Sequence, residues 1–425
     1  MVNPQTLGVL FDTSCKRAPQ LTALIYSDGQ KILSRTFAEL ATDVNTWCNF
    51  LQSKGLKCGD RVVAISSKSP LHYVFFYACW KLGLIAVPVC ESLGDQEMSF
   101  IINDCEPSLL LADTPLLDKV RNNAGGTEVI DWQQIGSHPQ ASAVPIAPLE
   151  DICDQIAVLI YTSGSTGLPK GVMLTHRNIW VNAWSALEFY QVGSHDRLMS
   201  LLPYWHAYAL VCEVCCTVMG RCTCAIPRDI RDFKRNIINY RPTIVIVVPR
   251  IVDGLKAAID KKIAESPAKA KALIEKAIYN ASRIYTAGPR LNGGILRMVT
   301  HHLFYDPLVF RKFRQAFGGR VRYVISGGAP LDLEHQIFFK YIGMPLFQGY
   351  GLTEASPVVS ANTDDKHRLG SCGTMVPWLL PEHGGDYTFK DESGKRGKDL
   401  HGQLLVKGQC VMKGYWRHAD TSAKT

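Results

Sequence analysis

No run of about 18 or more apolar residues occurs in this sequence, so no membrane-spanning helix is expected. The opening stretch "MVNPQTLGVLFDTSCKRAPQ" has no basic start followed by an apolar run, so it does not read as a secretory signal. Lys and Arg form no dense block, which argues against a nucleic-acid partner. Internal repeats and low-complexity tracts are also missing. These absences exclude an integral membrane protein, a repeat array and a disordered tail, and leave a cytoplasmic globular protein.

What is there fits that class. Hydrophobic residues make up 47% and charged residues 20% of the 425 residues, more chain than one core usually serves. The formal net charge of +8 suits polyanionic substrates and equally suits an ordinary surface. The 14 cysteines are scattered and read as reduced thiols. One cluster, Cys212, Cys215, Cys216, Cys222 and Cys224, contains a C-x2-C spacing that a zinc site could use. Its residues alternate with Val, Thr and Met, as buried structural cysteines do, and a matching second ligand pair is missing.

Apolar runs alternate with amphipathic stretches. "RVVAISS", "LIAVPV", "PSLLLAD", "RLMSLLP", "CTCAI", "TIVIVVP" and "VRYVISGG" read as buried strands. "PLHYVFFYACWKLG", "QEMSFIINDCE", residues 176–190 and "ALVCEVCCTVMG" read as helices between them. Residues 250–287 read as a surface helical pair broken at Pro267. The pattern predicts an α/β protein with a mainly parallel sheet. The polar stretch 136–154 and the change to Gly-rich, short-stranded sequence near 370 suggest three lobes: 1–150, 151–365 and a β-rich 366–425.

The densest chemical signal is "TSGSTGLPKG", residues 162–171, directly after an apolar strand. Gly164, Gly167 and Gly171 let a backbone approach closely. Thr162, Ser163, Ser165 and Thr166 supply hydroxyls, and Lys170 a cation, which together suit a phosphate. The spacing is not that of the common nucleotide P-loop, since Gly171 and not Ser or Thr follows Lys170. A plain polar hairpin turn is the bland alternative, and it requires neither this density of hydroxyls nor the lysine.

"YTSGSTGLPKGV" resembles the signature loop of the adenylate-forming superfamily, which holds acyl-CoA synthetases, luciferases and peptide-synthetase adenylation domains. "PYWHAYA" (203–209), "ISGGAPL" (325–331), "QGYGLTEASP" (348–357) and "QCVMKGYW" (409–416) resemble further family segments, in order and over essentially the whole chain. The resemblance implies two α/β lobes and a β-barrel-like lobe, with the site at their junction. It implies attack of a carboxylate on the α-phosphorus of ATP, release of pyrophosphate, and transfer of the acyl group to the thiol of CoA or of an acyl carrier protein.

By the same resemblance Lys170 and the loop 162–167 hold phosphates, and Glu354 holds Mg²⁺ with Thr162 or a neighbouring hydroxyl assisting. Thr353 lies beside the α-phosphate and Tyr350 against the adenine. Gly327, Gly328 and Ala329 let the base approach backbone, and Gln348, Gly349 and Gly351 complete the nucleotide site. His206 orients the substrate carboxylate or gates its entry, and Trp205 could share that gate or simply pack. "SLLPYWHAY" and "VVPRIVDG" look most like the long-chain fatty acid branch, including acyl carrier protein-charging members, although "ALVCEV" departs from that branch's charged pattern. Ligases of medium-chain, aryl or amino acids, and a non-catalytic nucleotide- or acyl-binding module, stay open.

Family members continue beyond "RHADTSAKT" with a ribose-binding aspartate and a small C-terminal domain that carries a catalytic lysine. The resemblance therefore implies a fragment that binds ATP weakly and catalyses poorly. Membrane association is compatible with a fatty acid substrate, but no amphipathic basic helix is legible.

Overall fold

A computed structural model describes residues 5–137, 152–163, 168–287 and 294–423. The loop residues Gly164, Ser165, Thr166 and Gly167 lie outside the described residues, as does the side chain of Ser163. The fold is α/β, as the alternation of runs predicts. Nine strands form one sheet in the order Thr374–Met375, Val358–Ala361, Leu346–Gly351, Tyr323–Ser326, Ile244–Val247, Arg197–Ser200, Thr223–Ile226, Thr22–Ser27, Ile32–Thr36. Its centre is parallel and its edges are antiparallel.

A second, seven-stranded sheet runs Gly414–Tyr415, Pro169–Thr175, Ile156–Ser163, Ile85–Val89, Arg61–Ile65, Leu109–Ala112, Val129–Asp131. A small three-stranded sheet has Asp386–Lys390 flanked by Arg396–Gly397 and Gln403–Lys407, while Thr374–Met375 belongs to the nine-stranded sheet and Gly414–Tyr415 to the seven-stranded one. The two large sheets interleave along the chain: Thr22–Thr36 joins the nine-stranded sheet, although residues 61–131 build the other.

Period-two alternation buries both faces of the parallel strands. Val62 and Ala64 face a core between the two large sheets, where Phe11, Phe37, Trp47, Tyr73 and Tyr77 pack. Val63 and Ile65 face an outer core under the helix Asp95–Cys105. On the far side, Val245 and Val247 carry a third core under Ile230–Tyr240 and Pro249–Ala264. Pro267 separates the latter from Ala268–Ala287, as expected. The stretch "ALVCEVCCTVMG" is helical, with wider π-type turns at Leu210–Cys215. Burial pushes the thiols of Cys212 and Cys222 up to about 12, so they stay protonated.

Two histidines are locked inside neutral. Burial lowers His72 to about 3 and His176 to about 4. His176 Nδ1 accepts the Leu7 N–H at 3.3 Å. An unfolded chain would take up these protons below about pH 6.5, so the stability they confer is full above that pH and falls towards 4. We expect His176→Gln, which keeps an acceptor for Leu7, to flatten the stability–pH curve between pH 6 and 4.5. The change is about 1.4 kcal/mol per pH unit, read by urea denaturation. An unchanged slope would show that His176 is not held neutral.

Candidate adenylate site

The strands Tyr323–Ser326 and Leu346–Gly351 are parallel neighbours, so their following loops open at the same sheet edge. A cavity of about 460 Å³ lies there. Its polar end is formed by His206, Gly327, Gly328, Ala329, Gly349, Tyr350, Gly351 and Thr353, all site residues expected from the sequence. The rest of its wall is mainly apolar, with Leu187, Tyr190, Leu198, Leu202, Ile244, Ile246, Cys212 and Cys216, and includes Arg250.

Two glycines shape the polar end. A Cβ on Gly327 would come within 3.3 Å of the Tyr208 ring, so its absence lets the His-Ala-Tyr turn pack on the Gly-Gly-Ala turn. A Cβ on Gly351 would collide with the Pro357 carbonyl. His206 caps the short helix Ala207–Ala209 and leans on Trp205, ring centroids 3.8 Å apart. Partial desolvation lowers its pKa, so at neutral pH it meets a ligand as an uncharged imidazole.

Gln348 does not line the cavity. Its Oε1 accepts the Leu331 N–H at 3.2 Å and its Nε2 donates to Cys372 Sγ at 3.2 Å, so it braces the 327–331 turn from behind. Thr162, Lys170 and Glu354 also lie outside the cavity wall, but form a group of their own. Ile156–Ser163 and Pro169–Thr175 pair as a hairpin in which Thr162 sits opposite Lys170. The edge strand Gly414–Tyr415 pairs on the outside of that hairpin, Tyr415 opposite Val172. Tyr415 donates its phenol to Glu354 Oε1 at 2.7 Å, and Lys170 Nζ lies 5.7 Å from its ring centroid. Tyr415 thus joins the expected phosphate lysine to the expected metal carboxylate. The sequence reading took its segment only as a family landmark.

Helix His176–Tyr190 sets this geometry. It grows from the hairpin through a reciprocal cap: Thr175 Oγ1 accepts the Asn178 N–H, and Asn178 Oδ1 accepts the Thr175 N–H. Asn178, Asn182 and Ser185 then fall on one face, all buried. Asn178 Nδ2 donates to the carbonyls of Gln409 and Val411 at 2.7 and 3.0 Å. Asn182 Nδ2 donates to those of Ala355 and Val358 at 3.2 and 3.0 Å, and its Oδ1 accepts the Val358 N–H. Ser185 Oγ accepts the Trp378 N–H at 3.1 Å. The stripe holds the turn that carries Thr353 and Glu354 and the segment that carries Tyr415.

A buried ion pair fixes the opposite wall. Lys68 Nζ contacts Glu213 Oε1 and Oε2 at 2.6 and 2.7 Å and donates to the Ser200 carbonyl at 3.0 Å. Burial raises the Glu213 pKa while Lys68 pulls it down. The pair ties the loop after Arg61–Ile65 to the end of Arg197–Ser200 and to the helix behind His206.

The AMP-binding enzyme family model matches residues 11–416. The chain belongs to the AMP-binding enzyme family. Within that family it is 27% identical over 478 residues to long chain acyl-CoA synthetase 8 of Arabidopsis thaliana, covering 98% of this chain and 64% of the plant protein. It is 31% identical to the chloroplastic long-chain-fatty-acid–[acyl-carrier-protein] ligase AEE15 of the same plant, covering 63% of this chain and 39% of that protein. The chain therefore spans less than two thirds of these relatives' length. Its fold is shared with ATP-bound MatB from Rhodopseudomonas palustris, at a TM-score of 0.75 and 22% identity, covering 99% of this chain and 74% of MatB.

Two substitutions test these supports. Asn182→Leu removes the partner of the Ala355 carbonyl and of the Val358 N–H, while the Val358 carbonyl keeps the Trp378 indole, and should cost about 1–3 kcal/mol and weaken nucleotide binding with it. Equilibrium unfolding and titration with a fluorescent ATP analogue read both. Unaltered stability and binding would remove Asn182 from this role. Lys68→Met leaves a buried carboxylate and should cost about 3–5 kcal/mol, much of it recovered in the Lys68→Met/Glu213→Gln double variant. Additive losses would contradict the pairing.

Proposed function

We propose that this chain carries the adenylating site of an ATP-dependent fatty acid–thiol ligase: a long-chain acid becomes an acyl adenylate with loss of pyrophosphate, and the acyl group then passes to a thiol. The reading is carried by one observation. A single cavity joins a glycine-lined polar end, with His206 and Thr353, to an apolar wall. An acyl tail gains about 0.8 kcal/mol per CH₂ buried along such a wall.

The residues divide the work. Two anions must meet, so repulsion has to be offset. Lys170, opposite Thr162 in the hairpin, would hold the departing phosphates. His206, uncharged, would hydrogen-bond the substrate carboxylate without neutralising it as a nucleophile. Tyr350 would cover the adenine and Thr353 would face the α-phosphate. Glu354 fits a Mg²⁺ ion that keeps most of its ligands from phosphate and water, since among the described residues no three His, Cys, Asp or Glu come together as a metal cluster. When bound, the cation supplies positive charge against the phosphates. A second cleft of about 540 Å³ shares Arg250 with the first and is lined by Arg228 and Lys234 as well as Glu91 and Asp229; its surplus of basic side chains would suit a phosphate-bearing thiol such as CoA or the phosphopantetheine of an acyl carrier protein. The names of the two plant relatives support both acceptors.

The deciding assay joins this chain to the small C-terminal domain that family members carry and measures pyrophosphate release with ATP, Mg²⁺ and short-, medium-, long-chain and aromatic acids, with and without CoA or acyl carrier protein. Release is expected to be strongest with long-chain acids and to fall at least about a hundredfold in Lys170→Ala and Glu354→Gln. Nucleotide binding without release for any acid would favour a non-catalytic binding module. Preference for an aromatic acid would reassign the substrate.

A further inference from the structure

Residues 294–316 form one continuous helical segment: Gly294–Thr300, then His301–Phe310 with wide π-type turns and Pro307 inside, then Arg311–Ala316. It is anchored inward by Val309 and Phe310, both buried, and by Asn280 Nδ2, which donates to the Arg297 carbonyl at 3.2 Å. Outward it is apolar as well. Leu296, Met298, Val299, Leu303, Phe304 and Leu308 are all exposed, Leu303 at 76% and Leu296 at 70%. Isolated exposed apolar side chains are ordinary, but six within thirteen residues on one segment are not.

Charge says what covers this ridge. Residues 249–316 contain 13 Lys and Arg against 5 Asp and Glu, a surplus equal to the whole +8 of the chain. The other 357 residues are balanced, with 33 of each sign. Within 294–316 the one acid, Asp306, is paired with Arg314 at 2.7 and 2.8 Å. Arg311 and Lys312 follow the apolar run, exposed. A second copy of the same face would bring like charges together. An anionic bilayer offers an apolar interior to the ridge and phosphates to the basic residues, the two signals that stable interfacial binding needs. The ridge packs on the helix Ala268–Ala287, which follows the helix Pro249–Ala264 whose first residues, Pro249 and Arg250, line the proposed acyl cavity.

We propose that residues 296–308 are a docking face for an anionic lipid surface, which would bring the chain to a membrane-dissolved acid for delivery to its cavity. The delivery clause rests on the fatty acid reading, and the docking itself does not. The test sediments the whole chain, without ATP or acid, with vesicles of phosphatidylcholine alone or mixed with phosphatidylglycerol. The chain should pellet with the mixed vesicles, less so at high salt. Partitioning should fall at least about tenfold in Leu303→Asp/Phe304→Asp and separately in Arg311→Glu/Lys312→Glu. Both variants alter exposed side chains, so their unfolding midpoints should match the parent's and exclude misfolding as the cause. A parent that stays in the supernatant, or variants that bind like it, would overturn the proposal. So would a lipid-free dimer abolished by Leu303→Asp/Phe304→Asp, which would make the ridge a self-association face. Because nothing is adenylated in this assay, its failure leaves the ligase reading intact, and the failure of pyrophosphate release leaves docking intact.

Discussion

The clamp of Asn182 on the turn 353–358 is the constraint on which the candidate site depends. Its amide satisfies two carbonyls and one N–H of a segment whose own regular structure is one short helical turn, Thr353–Ala355, and the start of the strand Val358–Ala361. Asn178, one turn earlier, does the same for residues 409–411. Without these bonds the Ala355 carbonyl and the Val358 N–H would lose the Asn182 amide as partner, so the turn cannot shift without a cost of kilocalories. Glu354 and Tyr415 come from segments about sixty residues apart, and they meet because one helix grips both. That helix is continuous with the hairpin bearing Lys170. Lysine, carboxylate and phenol therefore share one rigid mount.

The opposite wall is mounted differently. Around His206, Lys68 and Glu213 exchange charge in a place where neither side chain is more than 7% exposed. A buried pair of this kind adds little net stability, since desolvation offsets attraction. Its effect is to penalise every arrangement in which the two sheets slide apart. The wide turns at Leu210–Cys215 carry Glu213 to the lysine and Cys212 to the cavity. The local irregularity "ALVCEV", a departure when compared with the long-chain branch, is thus the segment that closes this tie.

Much of the fold was legible because its strands are short apolar runs buried on both faces, as at Val62–Ile65 and Ile244–Val247. The residues at the cavity's polar end were legible through resemblance, since they lie in the segments 203–209, 325–331 and 348–357 that resemble family motifs. Three features were not. Asn178, Asn182 and Ser185 drew no notice within the helix expected at 176–190, since side-chain bonds to distant carbonyls leave no local pattern. Gln348 sits in a diagnostic motif yet spends its amide on Leu331 and Cys372. The 296–308 ridge has no helical periodicity to find, being apolar inward and outward and wound with π-type turns around Pro307.

The two ends of the cavity follow from one helix read along its length. Near its start, His176–Tyr190 turns amides toward the segments that bear Glu354 and Tyr415. Near its end, Ala186, Leu187 and Tyr190 face the cavity instead. The switch takes place within about two turns, so polar grip and apolar wall are held in fixed register. A ligand with an anionic head and an apolar tail matches that register, because each end meets its complement only in one orientation. A small polar acid would fill the head site and leave the apolar wall wet, forfeiting about 25 cal/mol for each Å² it fails to cover. On the proposed reading, selectivity for amphiphilic acids would be a property of the scaffold itself, before any single residue at the polar end is considered.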